Sequence, residues 1–131
     1  MAQKILLNPD WPRARNAPFA QGTQIGDTIY VSGQVAQDPQ GQLVGAGDMR
    51  AQAIQVIRNI EAVLAVAVAG LADVVKITTY LTDMSRYDEY ARVRAEMFPD
   101  GAVCGALPAP VLDVVTSPAI FPAHPMPSCR P

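Results

Sequence analysis

The residues of this chain that are best suited to chemistry lie near the end of a predicted β-strand. Ser32, Gly33 and Gln34 follow a β-branched run within the strand that is predicted over Thr28–Val35. Gly33 lets a small ligand approach the backbone closely, and Ser32 supplies a hydroxyl that can donate and accept hydrogen bonds. A glycine inside a strand is equally typical of a β-bulge. These residues alone therefore leave a binding site and a simple bulge open.

Other combinations of reactive side chains predict no metal or nucleotide site. Cys104, His124 and Cys129 follow no zinc-ligand spacing, and prolines separate them. Two cysteines are too few for a disulfide framework. The chain also has no phosphate-binding loop and no dinucleotide-binding motif. We therefore expect no metal and no cofactor.

The elements that would position these residues begin with short strands. Lys4–Leu7 predicts an edge strand, which the proline-containing segment that follows it brings to an end. A second extended segment over residues 17–24 leads through Gly26-Asp27 into Thr28–Val35. A Gly-Asp pair between two strand-like segments is typical of a tight turn. We therefore predict a β-hairpin around this turn.

Two helices and a further strand complete the predicted order. Asp48 is a suitable N-cap for a helix over Ala51–Ala69, which carries apolar residues at spacings of three and four, and Gly70 predicts a left-handed residue after its end. Val74–Leu81 predicts a strand whose apolar density indicates a central position. A second helix is predicted over Ser85–Phe98, with its first residue as N-cap. This order predicts an α+β fold in which two helices pack on one face of a sheet.

Composition and charge exclude several classes of function. The formal net charge is −2 and the 10 basic residues are scattered, whereas nucleic-acid-binding proteins usually concentrate positive charge on one face. The first residues lack the features of a secretory signal, and the most apolar run, Ala62–Ala69, is too short to span a bilayer. We therefore expect a cytoplasmic protein that binds neither nucleic acid nor a membrane.

The last part of the chain differs from the rest. Seven prolines lie within residues 108–131, and Asp113 and Arg130 are the only charged residues after Gly101. Proline removes a hydrogen-bond donor from a sheet, so a central strand tolerates it poorly. Val111–Thr116 is the one credible strand in this part. We interpret the chain as a single domain over residues 1–131 whose segment 108–131 is an extended proline-rich tail.

Four segments share their order and spacing with one known family: Pro18–Gly22, Val31–Gln34, Asn59-Ile60 and Gly70–Met84. Through them the chain resembles the Rid family, the reactive-intermediate deaminases that are also called YjgF-like proteins. The resemblance covers residues 5–100. It implies a chorismate-mutase-like (YjgF-like) α+β fold that assembles as a homotrimer, with ligand sites in clefts between subunits. It also implies hydrolysis of 2-imino acids and their enamine forms to 2-keto acids and ammonia.

The resemblance implies roles for several residues. Ser32 and Gly33 match the Ser-Gly pair that lines the family's cleft, and Gln34 follows them in the same segment. Phe19 takes the place of a pocket tyrosine, so it keeps the ring without the hydroxyl. Cys104 lies near the position of a pocket cysteine that some relatives carry. We therefore predict that these five residues bind the substrate and that Ser32 also takes part in catalysis.

Other positions depart from the family's pattern. The family's carboxylate-binding arginine corresponds to Pro110, and a common helix asparagine corresponds to Ala91. The late glutamate that positions water has no counterpart, because no acidic residue follows Asp113. True divergence and a reading-frame departure near residue 102 both account for this ending. The missing arginine and glutamate predict weak hydrolysis.

Two arginines of the second predicted helix offer a replacement for the missing cation. Arg92 and Arg94 lie one turn from the part of this helix that would face the cleft, and the guanidinium fork binds carboxylates well. The alternative is a solvated helix face on which both arginines pair with nearby carboxylates. Those carboxylates are Asp88, Glu89 and Glu96. Arg94 is the residue that we predict as the anchor, and with Ser32 it is a predicted catalytic residue.

Three functions follow from these predictions. The first is an enamine/imine hydrolase that acts on a small 2-imino acid, and the second is a non-catalytic trimer that binds a small metabolite in the same cleft. The third is an RNA-acting protein, which the acidic balance disfavours. A cation close to Ser32 and Gly33 would separate the first function from the second.

Overall fold

A computed structural model describes residues 3–99, 104–105 and 109–110. The chain begins with an antiparallel sheet of three strands in the order β1 (Lys4–Leu7), β2 (Gly22–Ile25) and β3 (Thr28–Val31). The turn between β2 and β3 is the predicted one, and Gly26 has a φ of +56° there. Glycine adopts this conformation without steric cost, so the turn is two residues long. The predicted edge strand and hairpin are confirmed.

The strand predicted over Thr28–Val35 ends at Val31. The Ser32 amide still donates to the Gln21 carbonyl at 2.9 Å, but the Gln34 side-chain amide then donates to the Ser32 carbonyl at 3.2 Å. A side chain that binds its own backbone in this way competes with the hydrogen bonds of a sheet. The prediction of a longer strand was wrong for this reason.

The first helix, α1, spans Met49–Val66, and its predicted N-cap is confirmed, since the Asp48 carboxylate accepts a hydrogen bond from the Ala51 amide at 3.0 Å. The left-handed residue after its end is not Gly70, which is extended, but Val68 with a φ of +57°. The amides of Val68 and Ala69 donate to helix carbonyls at 3.0 Å. The left-handed position after α1 therefore lies two residues before the glycine and is taken by a valine, although glycine favours it.

The segment after α1 is not one continuous strand. It forms β4 (Lys76–Ile77) and β5 (Tyr80–Leu81), so the single predicted strand over Val74–Leu81 was wrong in its continuity. β4 pairs in parallel with β6 (Cys104–Gly105), and β5 pairs in parallel with β7 (Ala109–Pro110). Thr78 and Thr79 lie between the two strands and are buried.

The second helix, α2, spans Tyr87–Met97 and follows a 3-10 turn over Met84–Arg86. The sequence predicted Ser85 as the N-cap of this helix, and that prediction was wrong. The Asp83 carboxylate accepts hydrogen bonds from the amide and the hydroxyl of Ser85, at 3.0 and 2.5 Å, and so caps the 3-10 turn. Aspartate is the stronger acceptor of the two, so the serine acts as donor.

The core lies between the sheet and the two helices. α1 packs on β3 and β1, and a methyl group on Gly22 of β2 would lie only 2.7 Å from the Val63 side chain, so glycine is required for this approach. α2 packs against α1, and Arg50 of α1 pairs with Glu96 of α2 at 2.6 Å. A sheet covered by α1, which in turn packs on α2, is consistent with the predicted α+β fold.

The buried side chains of α1 follow the predicted periodicity, since Ile57, Ile60 and Leu64 are each at most 4% exposed. On α2, Tyr90 and Val93 are buried as well. In the part of the chain that the structure describes, neither α-helix has the length and apolar character needed to cross a membrane.

Candidate functional site

The segment Ser32–Gln34 lies directly beside the chain that leads into β2. The Ser32 hydroxyl donates to the Ala20 carbonyl at 2.6 Å, and the Ser32 amide donates to the Gln21 carbonyl at 2.9 Å. Ser32 is half-buried and Gly33 is exposed. The serine proton is therefore held by the protein, while the exposed backbone at Gly33 is accessible to a ligand.

A buried amide network lies behind this segment. Gln34 and Gln21 are 1% and 2% exposed, and the Gln34 side-chain amide donates to the Gln21 side-chain oxygen at 3.2 Å. The Gln21 backbone amide in turn donates to the Asn8 side-chain oxygen at 2.9 Å. Buried polar groups that are satisfied in this way hold their surroundings in one arrangement. Gln34 thus supports the segment from inside rather than lining its outer surface.

A cation extends this network toward solvent. The Arg13 guanidinium lies 3.4 Å from the Gln34 side-chain oxygen and donates through Nε to the Asp38 carbonyl at 3.0 Å. It also lies 4.3 Å from the centre of the Trp11 ring, a cation–π contact. Partial burial lowers the pKa of Arg13, and the charge of Asp38 opposes that shift.

None of the sequence patterns above singles out Arg13. The available signal is the Trp11-Pro12-Arg13 sequence, because Pro12 begins a short 3-10 turn that brings the ring and the guanidinium together. No local pattern, however, shows that this turn packs beside Gln34, which is 21 residues away.

The segment that follows Gln34 is fixed by a side chain of α1. The buried Asn59 donates from its side-chain amide to the carbonyls of Val35 and Gln37, both at 3.0 Å. The Gln55 side chain donates to the Asn59 oxygen at 2.9 Å, so the amide is held in this orientation. Asn59 therefore fixes the backbone that leads away from Ser32–Gln34.

The other predicted site residues are distributed around the molecule. Phe19 precedes the Ala20 carbonyl that Ser32 contacts, and the residue is 57% exposed. Arg94 lies near the Tyr90 hydroxyl. Burial raises the pKa of Tyr90, and the charge of Arg94 and its hydrogen bond oppose that shift. Cys104 pairs through its backbone with Lys76, and its side chain lies outside the described residues. The structure therefore brings Ser32, Gly33 and Gln34 together, and the roles of Arg94 and Cys104 stay predictions.

The alternative to an anchor role was a solvated face of α2 on which Arg92 and Arg94 pair with nearby carboxylates. Two of those carboxylates form ion pairs with other arginines. Glu89 pairs with Arg86 at 2.9 Å, and Glu96 pairs with Arg50 of α1. Each arginine holds the pKa of its partner carboxylate below the ordinary value. Among the described residues, no three histidine, cysteine or acidic side chains converge as metal ligands, and His124 and Cys129 lie outside that part of the chain.

Comparison with known proteins defines the class of this fold. The structure resembles that of yeast Mmf1 with a TM-score of 0.81 at 24% sequence identity, over 90% of this chain and 96% of that one. It resembles RidA from the Antarctic bacterium Psychrobacter sp. with a TM-score of 0.73 at 28% identity, over 90% and 94% of the two chains. The fold is therefore the α+β fold of YjgF-like proteins.

Sequence comparison gives the family. The profile of the family described as Endoribonuclease L-PSP matches residues 12–116. A RutC family protein of Pyrococcus abyssi is 36% identical over 98 residues, which are 75% of this chain and 76% of that protein. The chain belongs to the Endoribonuclease L-PSP family, the family of YjgF, RutC and Rid proteins. The resemblance that its four sequence segments predicted is confirmed.

Proposed function

We propose that this protein hydrolyses reactive 2-imino acids, and the enamines from which they form, to 2-keto acids and ammonia at a low rate. In this reaction water adds to the carbon of the C=N bond, the C–N bond then breaks, and ammonia leaves with the proton that it gains. The observation that carries the proposal is the Ser32–Gln34 segment, which is fixed from inside and exposes the Gly33 backbone.

Family membership supports this choice of substrate, since RidA of Psychrobacter sp. is among the structures that this chain resembles. The low rate follows from the sequence, because no acidic residue follows Asp113 to position the attacking water. General acid–base catalysis typically contributes roughly 10²- to 10⁴-fold to a rate. A protein that lacks this residue should keep binding and lose most of its turnover.

One observation favours a second function, which is binding of a small metabolite without turnover. The Ser32 hydroxyl donates to the Ala20 carbonyl, so its proton is engaged before any substrate arrives. An RNA-acting function has no such support, because the net charge is −2 and the basic residues are scattered.

Turnover tests the proposal. A threonine dehydratase supplies a 2-imino acid, semicarbazide competes for it, and formation of the keto acid is followed with and without this protein. We expect catalysis above the spontaneous reaction, at a rate roughly 10²- to 10⁴-fold below that of a relative with an acidic residue at the end of its chain. Catalysis equal to that of such a relative would contradict the low rate, and no catalysis at all would leave the binding function.

A matched pair of glycine variants connects turnover to the site. Gly33→Ala places a methyl group on the exposed backbone where the ligand would approach, so we expect it to reduce turnover. Gly70→Ala makes the same change where the backbone is extended and no atom lies within 4 Å of the added carbon, so it should have no effect. Equal turnover in both variants would place the reaction elsewhere.

A further inference from the structure

We propose that Arg13 binds the carboxylate of the ligand at the Ser32–Gln34 segment, an inference that rests on the function proposed above. Three observations carry it: the neutral hydrogen-bond acceptors of this guanidinium, the aromatic ring that holds it, and the short chain of hydrogen bonds that joins it to Ser32.

The surroundings of Arg13 differ from those of the other paired arginines. Arg15, Arg50 and Arg86 each have a carboxylate oxygen within 2.9 Å. Arg13 is half-buried, yet in the described part of the chain its side chain donates to two neutral oxygens, the Asp38 carbonyl and the Gln34 side-chain oxygen. A half-buried cation without a carboxylate partner is stabilised by an anion that arrives from outside.

The nearest acidic side chain is already occupied. One oxygen of the Asp38 carboxylate accepts hydrogen bonds from the backbone amides of Gln40 and Gln42, both at 2.9 Å. Asp38 therefore stabilises its own turn, and only its carbonyl meets the guanidinium. Its charge favours the protonated guanidinium without competing for the same hydrogen bonds.

The Trp11 ring keeps the guanidinium in a defined orientation. The two groups lie 4.3 Å apart, and Trp11 is buried, so the plane of the guanidinium is held before a ligand binds. Arginine carries five N–H groups, and the hydrogen bonds to Asp38 and Gln34 account for two of them among the described residues. A planar fork that is held in place suits two parallel hydrogen bonds to a carboxylate.

The Gln34 side chain links Arg13 to the backbone of Ser32, which the chemistry of a 2-imino acid makes relevant. In such a substrate the reacting carbon is bonded directly to the carboxylate carbon, so the anchor must lie close to the groups that act on the C=N bond. The Gln34 side chain spans this gap, since it accepts from Arg13 at 3.4 Å and donates to the Ser32 carbonyl at 3.2 Å. Two hydrogen bonds therefore connect the cation to the proposed site.

Arg13 also has a structural role that the test must separate from binding. Its backbone amide donates to the Pro39 carbonyl at 3.1 Å, and its Nε donates to the Asp38 carbonyl, so it fastens the 38–41 turn. Loss of this contact lowers stability, but it does not change the preference of the protein for a charged ligand over a neutral one.

The experiment measures that preference. Dissociation constants for 2-oxobutyrate and for its neutral amide are determined by calorimetry or NMR titration in the wild type and in Arg13→Gln. We expect the wild type to prefer the carboxylate, and the variant to lose roughly 10- to 150-fold of that preference, the usual range for a hydrogen bond to a charged group. Arg13→Lys keeps the charge without the fork and should lie between them.

Arg15→Gln is the matched control, because Arg15 lies two residues further along, is 65% exposed and pairs with Asp10. It should keep the full preference for the carboxylate. The ratio of the two constants does not depend on the fraction of folded protein, and circular dichroism monitors folding of each variant.

The outcomes separate this inference from the proposed function. An unchanged carboxylate preference in Arg13→Gln, or no preference in the wild type, overturns the role of Arg13. Equal loss of both ligands shows a structural role only, and also overturns it. A preference that depends on Arg13 in a protein without turnover supports the inference while hydrolysis fails. Turnover that stays intact in Arg13→Gln supports hydrolysis and overturns the role of Arg13.

Discussion

A single hydroxyl pair joins α2 to the segment between β4 and β5. Tyr90 is 3% exposed, and its hydroxyl lies 2.5 Å from that of Thr79, which is also 3% exposed. Burial raises the pKa of Tyr90, and the hydrogen bond with Thr79 and the charge of Arg94 oppose that shift. Each hydroxyl supplies the hydrogen-bond partner that the other needs, because both are buried away from water.

Tyr90→Phe should therefore lower the free energy of unfolding by about 1–3 kcal/mol, since it leaves the Thr79 hydroxyl buried and without this partner. Urea denaturation measures the change. Tyr87→Phe is the control, because Tyr87 is half-buried on the same helix, 6.2 Å from the Tyr90 ring. The control should change stability by about 0.5 kcal/mol or less.

The double variant Tyr90→Phe with Thr79→Val removes both hydroxyls. It should be more stable than Tyr90→Phe alone, because replacing both partners by apolar groups costs less than leaving one unsatisfied. The role of the pair is refuted by equal effects of Tyr90→Phe and Tyr87→Phe.

At the scale of an element, the end of α1 has an unfavourable residue. Val68 has a φ of +57° and is 97% exposed, so it accepts the strain of the left-handed conformation and gains almost no burial in return. A β-branched residue is poorly suited to this conformation. The hydrogen bonds of the amides of Val68 and Ala69 to the last turn of α1 maintain it.

Val68→Gly should raise the free energy of unfolding by about 1 kcal/mol, because glycine adopts the left-handed conformation at no steric cost. Val66→Gly makes the same chemical change at the last residue of α1, and there it should destabilise the protein by about 0.5–1 kcal/mol. Thermal and urea denaturation of both variants test whether the two changes in the free energy of unfolding have opposite signs. A destabilised Val68→Gly would show that the backbone after α1 differs from the structure.

At the scale of the whole molecule, we propose that three copies of this chain assemble. β1, β2 and β3 have one face against α1, where Leu7, Gly22 and Val31 lie in register and are buried. The opposite face carries the next row, in which Leu6 is 56% exposed. Ile25 on the same face is 44% exposed, and exposed apolar side chains on a sheet are suited to contact with another subunit, so ligand sites between subunits would then depend on assembly.

Light scattering at micromolar concentration tests the assembly, and we expect about three times the 14.0 kDa mass of one chain. Leu6→Lys should lower this mass, because it places a charge on the exposed sheet face. Val68→Lys is the control, since it changes an exposed apolar residue at the end of a helix and should leave the mass unchanged. A wild-type protein that scatters as a stable monomer would contradict the proposal.

The sequence by itself determined those features that depend on neighbouring residues. The Gly26 turn set the hairpin, Asp48 set the start of α1, and the three- and four-residue spacing of Ile57, Ile60 and Leu64 set the buried face of that helix. Each of these features depends on residues within about one turn of the backbone, so it can be predicted without knowing where the rest of the chain lies. The four segments that identify the family could be recognised in the sequence for the same reason.

Only the tertiary structure decided which polar side chains meet. Arg13 reaches Gln34 across 21 residues and Asn59 reaches Val35 across 24, and these contacts define the candidate site more closely than the sequence motif did. The tertiary structure also placed the left-handed residue after α1 at Val68 rather than at Gly70, and it turned Gln34 inward so that β3 stopped at Val31. Such contacts form because packing brings distant segments together and then requires buried donors and acceptors to find partners, and no local pattern records which partners those are.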